Sequence, residues 1–148
     1  MNSYCYSWQA ELSEEHCEAI KALYNGGKPQ EAEIGNVSSI DKNVRSSNIL
    51  PCEYDSENGT YLDRIMNQYI TMANRECFGV HLNGFQEFQI AKYGKGDFYD
   101  FHMDSNIFDN ASQRKLSITV QLSDSIDYVG GDFEFSKDMG KLDQKKLR

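Results

Sequence analysis

Lys115–Ser123 alternates strictly in polarity, and this pattern constrains the fold more than any other feature of the chain. Leu116, Ile118, Val120 and Leu122 fall on one side, and Ser117, Thr119, Gln121 and Ser123 on the other. Successive strand side chains point to opposite faces, so a period of two reads as a half-buried strand. The same period begins at Phe85. Phe85–Tyr93 reads as a first strand, with Phe88, Ile90 and Lys92 alternating with Gln89, Ala91 and Tyr93. Gly94-Lys95-Gly96-Asp97 reads as a turn. Phe98–Asp104 reads as a second strand, and Gly130-Gly131 opens a further one over Asp132–Ser136. Gly130-Gly131 also suits an unusual backbone turn.

Before Phe85 the period is helical. Ser13 can cap a helix whose first turn carries Glu14 and Glu15, which suit the positive helix start. Cys17, Ile20, Leu23 and Tyr24 form one apolar stripe, and Gly26-Gly27 ends it. A second helix is expected from about Thr60 to Cys77, with Leu62, Ile65, Met66, Tyr69 and Ile70 on one face, Met72 and Ala73 extending it, and Gly79 as the stop. Between the helices, residues 25–50 hold Gly26, Gly27, Pro29, Gly35 and many Ser and Asn. That stretch reads as a long loop, either a functional lid or a plain surface connection.

The 148 residues suit one domain, with helical support over about 1–84 and sheet over about 85–148. The net charge of −8 argues against a nucleic-acid partner, which needs clustered Lys and Arg. The basic stretch Lys141–Arg148 reads as a solvated segment. Met1–Trp8 lacks the pattern of a secretion signal, and no apolar run is long enough for a membrane span. Cys5, Cys17, Cys52 and Cys77 form no C-x-x-C pair. The expectation is thiols in a reducing cytoplasm, without membrane contact.

The chemistry concentrates between Tyr93 and Asp104. Strand residues two apart share a side, so His102 and Asp104 project together with Asp100 beside them. Tyr99, Phe101 and Met103 would point the other way, toward a core. One imidazole and one carboxylate on a common face are two legs of a 2-His-1-carboxylate facial triad, which holds Fe(II) with open positions. If the polar faces of three strands meet, Gln89 and Tyr93, Asp100, His102 and Asp104, and Ser117, Thr119 and Gln121 line one cavity. An open antiparallel sheet with those faces in water satisfies the same periodicity.

The segment Tyr93-x-x-Gly96-x-x-Tyr99-x-x-His102-x-Asp104 resembles the metal-binding segment of Fe(II)/2-oxoglutarate dioxygenases of the prolyl 4-hydroxylase type. The run from Arg114 through Tyr128 to Gly130-Gly131-Asp132-Phe133 is similar to that family's next two strands, and Trp8–Leu23 to its opening helix. The resemblance is strongest over residues 85–135. It implies a mainly β fold with N-terminal helices, a double-stranded β-helix or jelly roll. It implies Fe(II) on His102 and Asp104, and 2-oxoglutarate among Gln89, Tyr93, Tyr99, Thr119, Gln121 and Phe133. Tyr93 leads these, because its hydroxyl can hydrogen-bond a carboxylate; Arg114 and Tyr128 are read as structural. The implied reaction is hydroxylation of a peptidyl proline, coupled to decarboxylation of 2-oxoglutarate to succinate, with ascorbate as an accompanying reductant. The implied partner is a peptide or protein substrate.

The family also carries a second histidine and then a basic residue well after the Gly-Gly strand. The chain has no histidine after Asp104, and His16 and His81 come too early to match. Four sheet strands are legible where a jelly roll needs about eight. The expectation is a jelly roll cut short, with the third ligand and closing strands missing. Hydroxylation of a small molecule or another side chain is the runner-up. A non-catalytic β-sandwich binding module and a degenerate dioxygenase kept for its interactions are the alternatives from another class.

Overall fold

Ser13 caps the first helix as its position suggests. Its Oγ accepts the His16 amide at 3.3 Å and opens α1, Glu14–Gly26, which Gly27 closes. The computed structural model describes residues 5–9, 11–33, 41–85, 87–102, 104, 114–138 and 141–144, without the side chains of 136–138 and 141–144. Of the stripe on α1, Ile20 is buried and Leu23 and Tyr24 pack beside it. The second helix, α2, runs over Glu57–Ala73, starting earlier than about Thr60. Ser56 sets that start: its Oγ accepts the Gly59 amide at 3.0 Å and donates to the Glu53 carbonyl at 2.6 Å. Leu62, Ile65, Met66 and Ala73 face inward, while Met72 lies off the stripe and is exposed. A wider turn of π type, Asn74–Phe78, follows and stops at Gly79, whose φ of 62° is left-handed.

The stretch 25–50, expected to be a loop, contains strands. They are β1, Gln30–Glu31, β2, Arg45–Ser46, and the first part of β3, Asn48–Glu53. Two-residue strands carry no period to read. Pro51 argues against a ladder position in β3, because proline cannot donate. Pro51 nonetheless fits, because β1 pairs only with Asn48 and Ile49 and leaves one edge of β3 open beyond them among the described residues. On its other edge β3 pairs antiparallel with β4, Glu87–Lys92, from Asn48↔Lys92 to Glu53↔Glu87. This register sets Leu50 opposite Ile90 and Cys52 opposite Phe88. Together with Ile20, Leu62, Ile65 and Met66 they form the core.

β5, Phe98–Tyr99, pairs antiparallel with β2. β6, Glu134–Asp138, pairs with β7, Lys141–Gln144. Two expectations are corrected here. The last predicted strand begins at Glu134 rather than Asp132. Lys141–Gln144, read as part of a solvated segment, forms a strand; with Leu142 its single apolar residue, it offers no alternation to read. Lys115–Ser123 keeps its expected alternation in exposure but joins no ladder among the described residues. Ile118, Val120 and Leu122 pack against the core from that segment.

The described residues therefore make a mixed α/β structure of two helices and small antiparallel sheets. Among them no helix is long and apolar enough to cross a membrane.

Two glycines predict opposite responses to one substitution. A Cβ on Gly26 meets nothing within 4 Å, whereas one on Gly59 would lie 1.9 Å from the Glu53 carbonyl oxygen. Gly26→Ala is expected to stabilise by about 0.5–1 kcal/mol through helix propensity. Gly59→Ala is expected to destabilise by about 1–3 kcal/mol or more, because backbone must move. Urea denaturation midpoints of the two variants check both signs.

Candidate metal centre

The turn before β5 is held from both sides. The Asp97 amide donates to the Gly94 carbonyl at 3.1 Å, and the Gly94 amide donates to Asp97 Oδ2 at 2.7 Å. Gly96 supplies the left-handed φ of 86°. From β2, Ser46 Oγ donates to Asp97 Oδ1 at 2.6 Å. The Ser46 hydroxyl first, and then the Gly94 amide, hold the Asp97 carboxyl below its usual range.

The expected strand Phe98–Asp104 stops at Tyr99. The Asp100 amide still donates to the Val44 carbonyl at 2.8 Å, but Asp100 Oδ1 then accepts the Phe101 amide at 2.7 Å. Such local bonds offer the backbone an alternative to the ladder, and here the chain bends. Phe101 is exposed rather than in a core, and Met103 lies outside the described residues. Tyr99 and His102, which an unbroken strand would separate onto opposite sides, stack instead. Their ring centroids are 3.6 Å apart and their planes 13° from parallel.

His102 Nε2 lies 3.1 Å from Asp104 Oδ1, and Nδ1 lies 2.8 Å from the Asp100 carbonyl oxygen. The carbonyl can only accept, so Nδ1 carries a proton and donates it. Nε2 is then left to face a carboxylate, and two lone pairs cannot face each other without a cation between them. A proton on Nε2 satisfies this arrangement, and so does a metal ion. Two ligands each about 2.1 Å from a metal at right angles sit about 3.0 Å apart, close to the spacing here. The side chains of His102 and Asp104 are 35% and 48% exposed, so the pair is open to solvent. Among the described residues no cluster of three or more His, Cys, Asp or Glu is placed to hold a metal.

Three further groups surround the pair. Arg114 Nη1 donates to the Asp104 carbonyl at 3.2 Å. Arg45, buried at 8% exposure, sets its guanidinium 4.5 Å from the Tyr99 ring centre and donates from Nε to Ser47 Oγ at 2.9 Å. The Tyr99 hydroxyl is pushed up by burial; the Arg45 charge opposes the shift, and the Asp104 and Tyr93 charges add to it.

Of the sequence-predicted residues, Tyr99, His102 and Asp104 come together, and Tyr93 is close enough to act electrostatically on Tyr99. Gln89 is exposed and bonds Glu87, Gln121 is exposed and bonds the Ser123 carbonyl, and Thr119 is exposed. Phe133 packs edge-on against Phe135, centroids 5.0 Å apart. His16 Nδ1 lies 2.7 Å from Ser13 Oγ on α1, and His81 is exposed ahead of β4. Sequence reasoning missed Arg45. Arg45, Ser47 and Ile49 are all buried at a period of two. Two of the three are polar, so hydrophobic alternation could not reveal the pattern.

No protein-family model, curated protein or solved structure matches the chain.

The depressed Asp97 carboxyl has a defined pH signature. A carboxyl whose folded pKa lies below its unfolded value, about 3.9, contributes fully above that value. Its contribution disappears as pH falls through the folded pKa. Ser46→Ala is therefore expected to lower the melting temperature at pH 7. The gap to wild type should close as pH falls below about 3.9. Thermal melts from pH 7 to pH 2.5 check this; a gap that widens in acid contradicts it.

Proposed function

We propose that His102 and Asp104 are two protein ligands of a non-haem Fe(II) site in a 2-oxoglutarate-dependent hydroxylase of the prolyl 4-hydroxylase type, built on a jelly roll. The observation that carries the reading is the placement of His102, with Nε2 3.1 Å from Asp104 Oδ1 and Nδ1 2.8 Å from the Asp100 carbonyl oxygen. The donor set, one imidazole and one carboxylate, suits Fe(II) with positions left for other donors. Neither His16 nor His81 belongs to this group, so a further protein donor has to be a different residue. When bound, Fe(II) with 2-oxoglutarate supplies the oxidative decarboxylation to succinate that drives hydroxylation of a C–H bond.

This chain's own residues hold and orient. The Asp100 carbonyl keeps the proton on Nδ1, so Nε2 is the ligating atom. Tyr93, half exposed, offers a hydroxyl to a cosubstrate carboxylate. Phe101, next to His102 in the chain, leaves its ring open to solvent. Open ligands beside an exposed aromatic ring favour a peptidyl substrate, proline first, over a small molecule enclosed in a cavity.

Anaerobic addition of Fe(II) and 2-oxoglutarate is expected to produce a weak visible absorption band, and His102→Ala to abolish it. Absence of the band from both proteins would mean that the pair is an ordinary surface contact, as in a non-catalytic binding module.

A further inference from the structure

We infer that Arg45 is a positioning residue, which acts through the Tyr99 ring to set the plane of the His102 imidazole. The inference rests on the metal reading only for its consequence for metal affinity. An arginine is seldom buried without a carboxylate, because removing its charge from water is costly. Arg45 is 8% exposed, yet no ion pair among the described residues involves it. Its partners are the hydroxyl of Ser47, itself buried, and the face of Tyr99. The β2–β5 register places Arg45 directly across from Tyr99, so the contact is built into the ladder. A guanidinium over an aromatic ring is held by the ring quadrupole, most strongly when desolvated.

Tyr99 transmits that hold. Its ring lies 3.6 Å from the imidazole and nearly parallel to it. The bond from Nδ1 to the Asp100 carbonyl pins one point of the imidazole, but a ring pinned at one point can still swing. The stack supplies the second restraint, and the two together aim Nε2. Supports of this kind fix the orientation of a ligating histidine and alter metal affinity without touching the ion. The role also separates Tyr99 from a cosubstrate ligand: the stack needs its ring, whereas a carboxylate needs its hydroxyl.

The test reads His102 directly. In the wild-type chain, NMR signals of the His102 ring protons are expected upfield, shielded by Tyr99. Arg45→Met is expected to move them toward free imidazole, and Arg45→Lys to move them less. Mn(II) affinity, followed by EPR, should fall about 10- to 100-fold in Arg45→Met. Tyr99→Phe should keep both signatures, and Tyr99→Leu should lose them. If Arg45→Met fails to fold by circular dichroism, Arg45→Lys and Ser47→Ala should give smaller shifts in the same direction. Unmoved His102 signals in a folded Arg45→Met, or in both milder variants, overturn the inference. A wild-type chain that takes no Mn(II), while its His102 signals respond to Arg45, sinks the metal reading and leaves the positioning role standing.

Discussion

The pairing of residues 45–53 with residues 87–99 is the constraint on which the rest of the structure depends. It runs in two steps. Over β3 and β4 it is a regular antiparallel ladder, Asn48↔Lys92 through Glu53↔Glu87. Over β2 and β5 it resumes with Ser46↔Phe98 and Arg45↔Tyr99, a register shifted by four residues. The excursion that absorbs the shift is the Gly94–Asp97 turn, and Ser46 holds it by its bond to Asp97. The first step builds the core, because it sets Leu50 and Cys52 against Ile90 and Phe88 beneath the helices. The second step builds the site, because the shifted register is what brings Tyr99 opposite Arg45. Core and site are thus two products of one strand pair, and the turn decides where one ends and the other begins.

The site itself leaves the ladder. After Tyr99 the backbone bonds to its own side chains, through Asp100 to Phe101 and through His102 to Asp100. A strand would have kept His102 and Asp104 on one face but denied His102 the Tyr99 ring. The bend gives both: the carboxylate at Nε2 and the aromatic face against the imidazole. In a chain with net charge −8, the buried guanidinium of Arg45 is a local positive charge behind that ring. It opposes the upward push that burial first, and then the Asp104 charge, give the Tyr99 hydroxyl.

Much of this was legible in the sequence where a local rule decides. The Ser13 cap, the Ile20 stripe, the stop at Gly79 and the turn at Gly94–Asp97 are each fixed by one or two residues of special chemistry. The juxtaposition of His102 and Asp104 was legible too, although by an argument from strand spacing that the bend replaces. Illegible were features that depend on a distant partner. β2 is a strand only because β5 lies beside it. Pro51 is tolerated only because β1 stops at Ile49. Arg45 falls in the stretch expected to be a loop, and burial of a charge is invisible to any reading of apolar periodicity. Lys141–Gln144 offers no strand pattern of its own and is a strand through its pairing with β6.

The exposure of the His102–Asp104 pair bears on what the pair is for. At 35% and 48% side-chain exposure, attraction between an imidazolium and a carboxylate is screened by water and contributes little to stability. Two short-range restraints nevertheless hold the imidazole, the Asp100 carbonyl on one nitrogen and the Tyr99 ring on one face. Asp104 is held separately, its carbonyl bonded by Arg114. Holding the imidazole by its neighbours costs conformational entropy, as any fixed side-chain geometry does. The proposed metal site would draw on such preorganisation, since an ion bound between the two donors gains from every degree of freedom already removed.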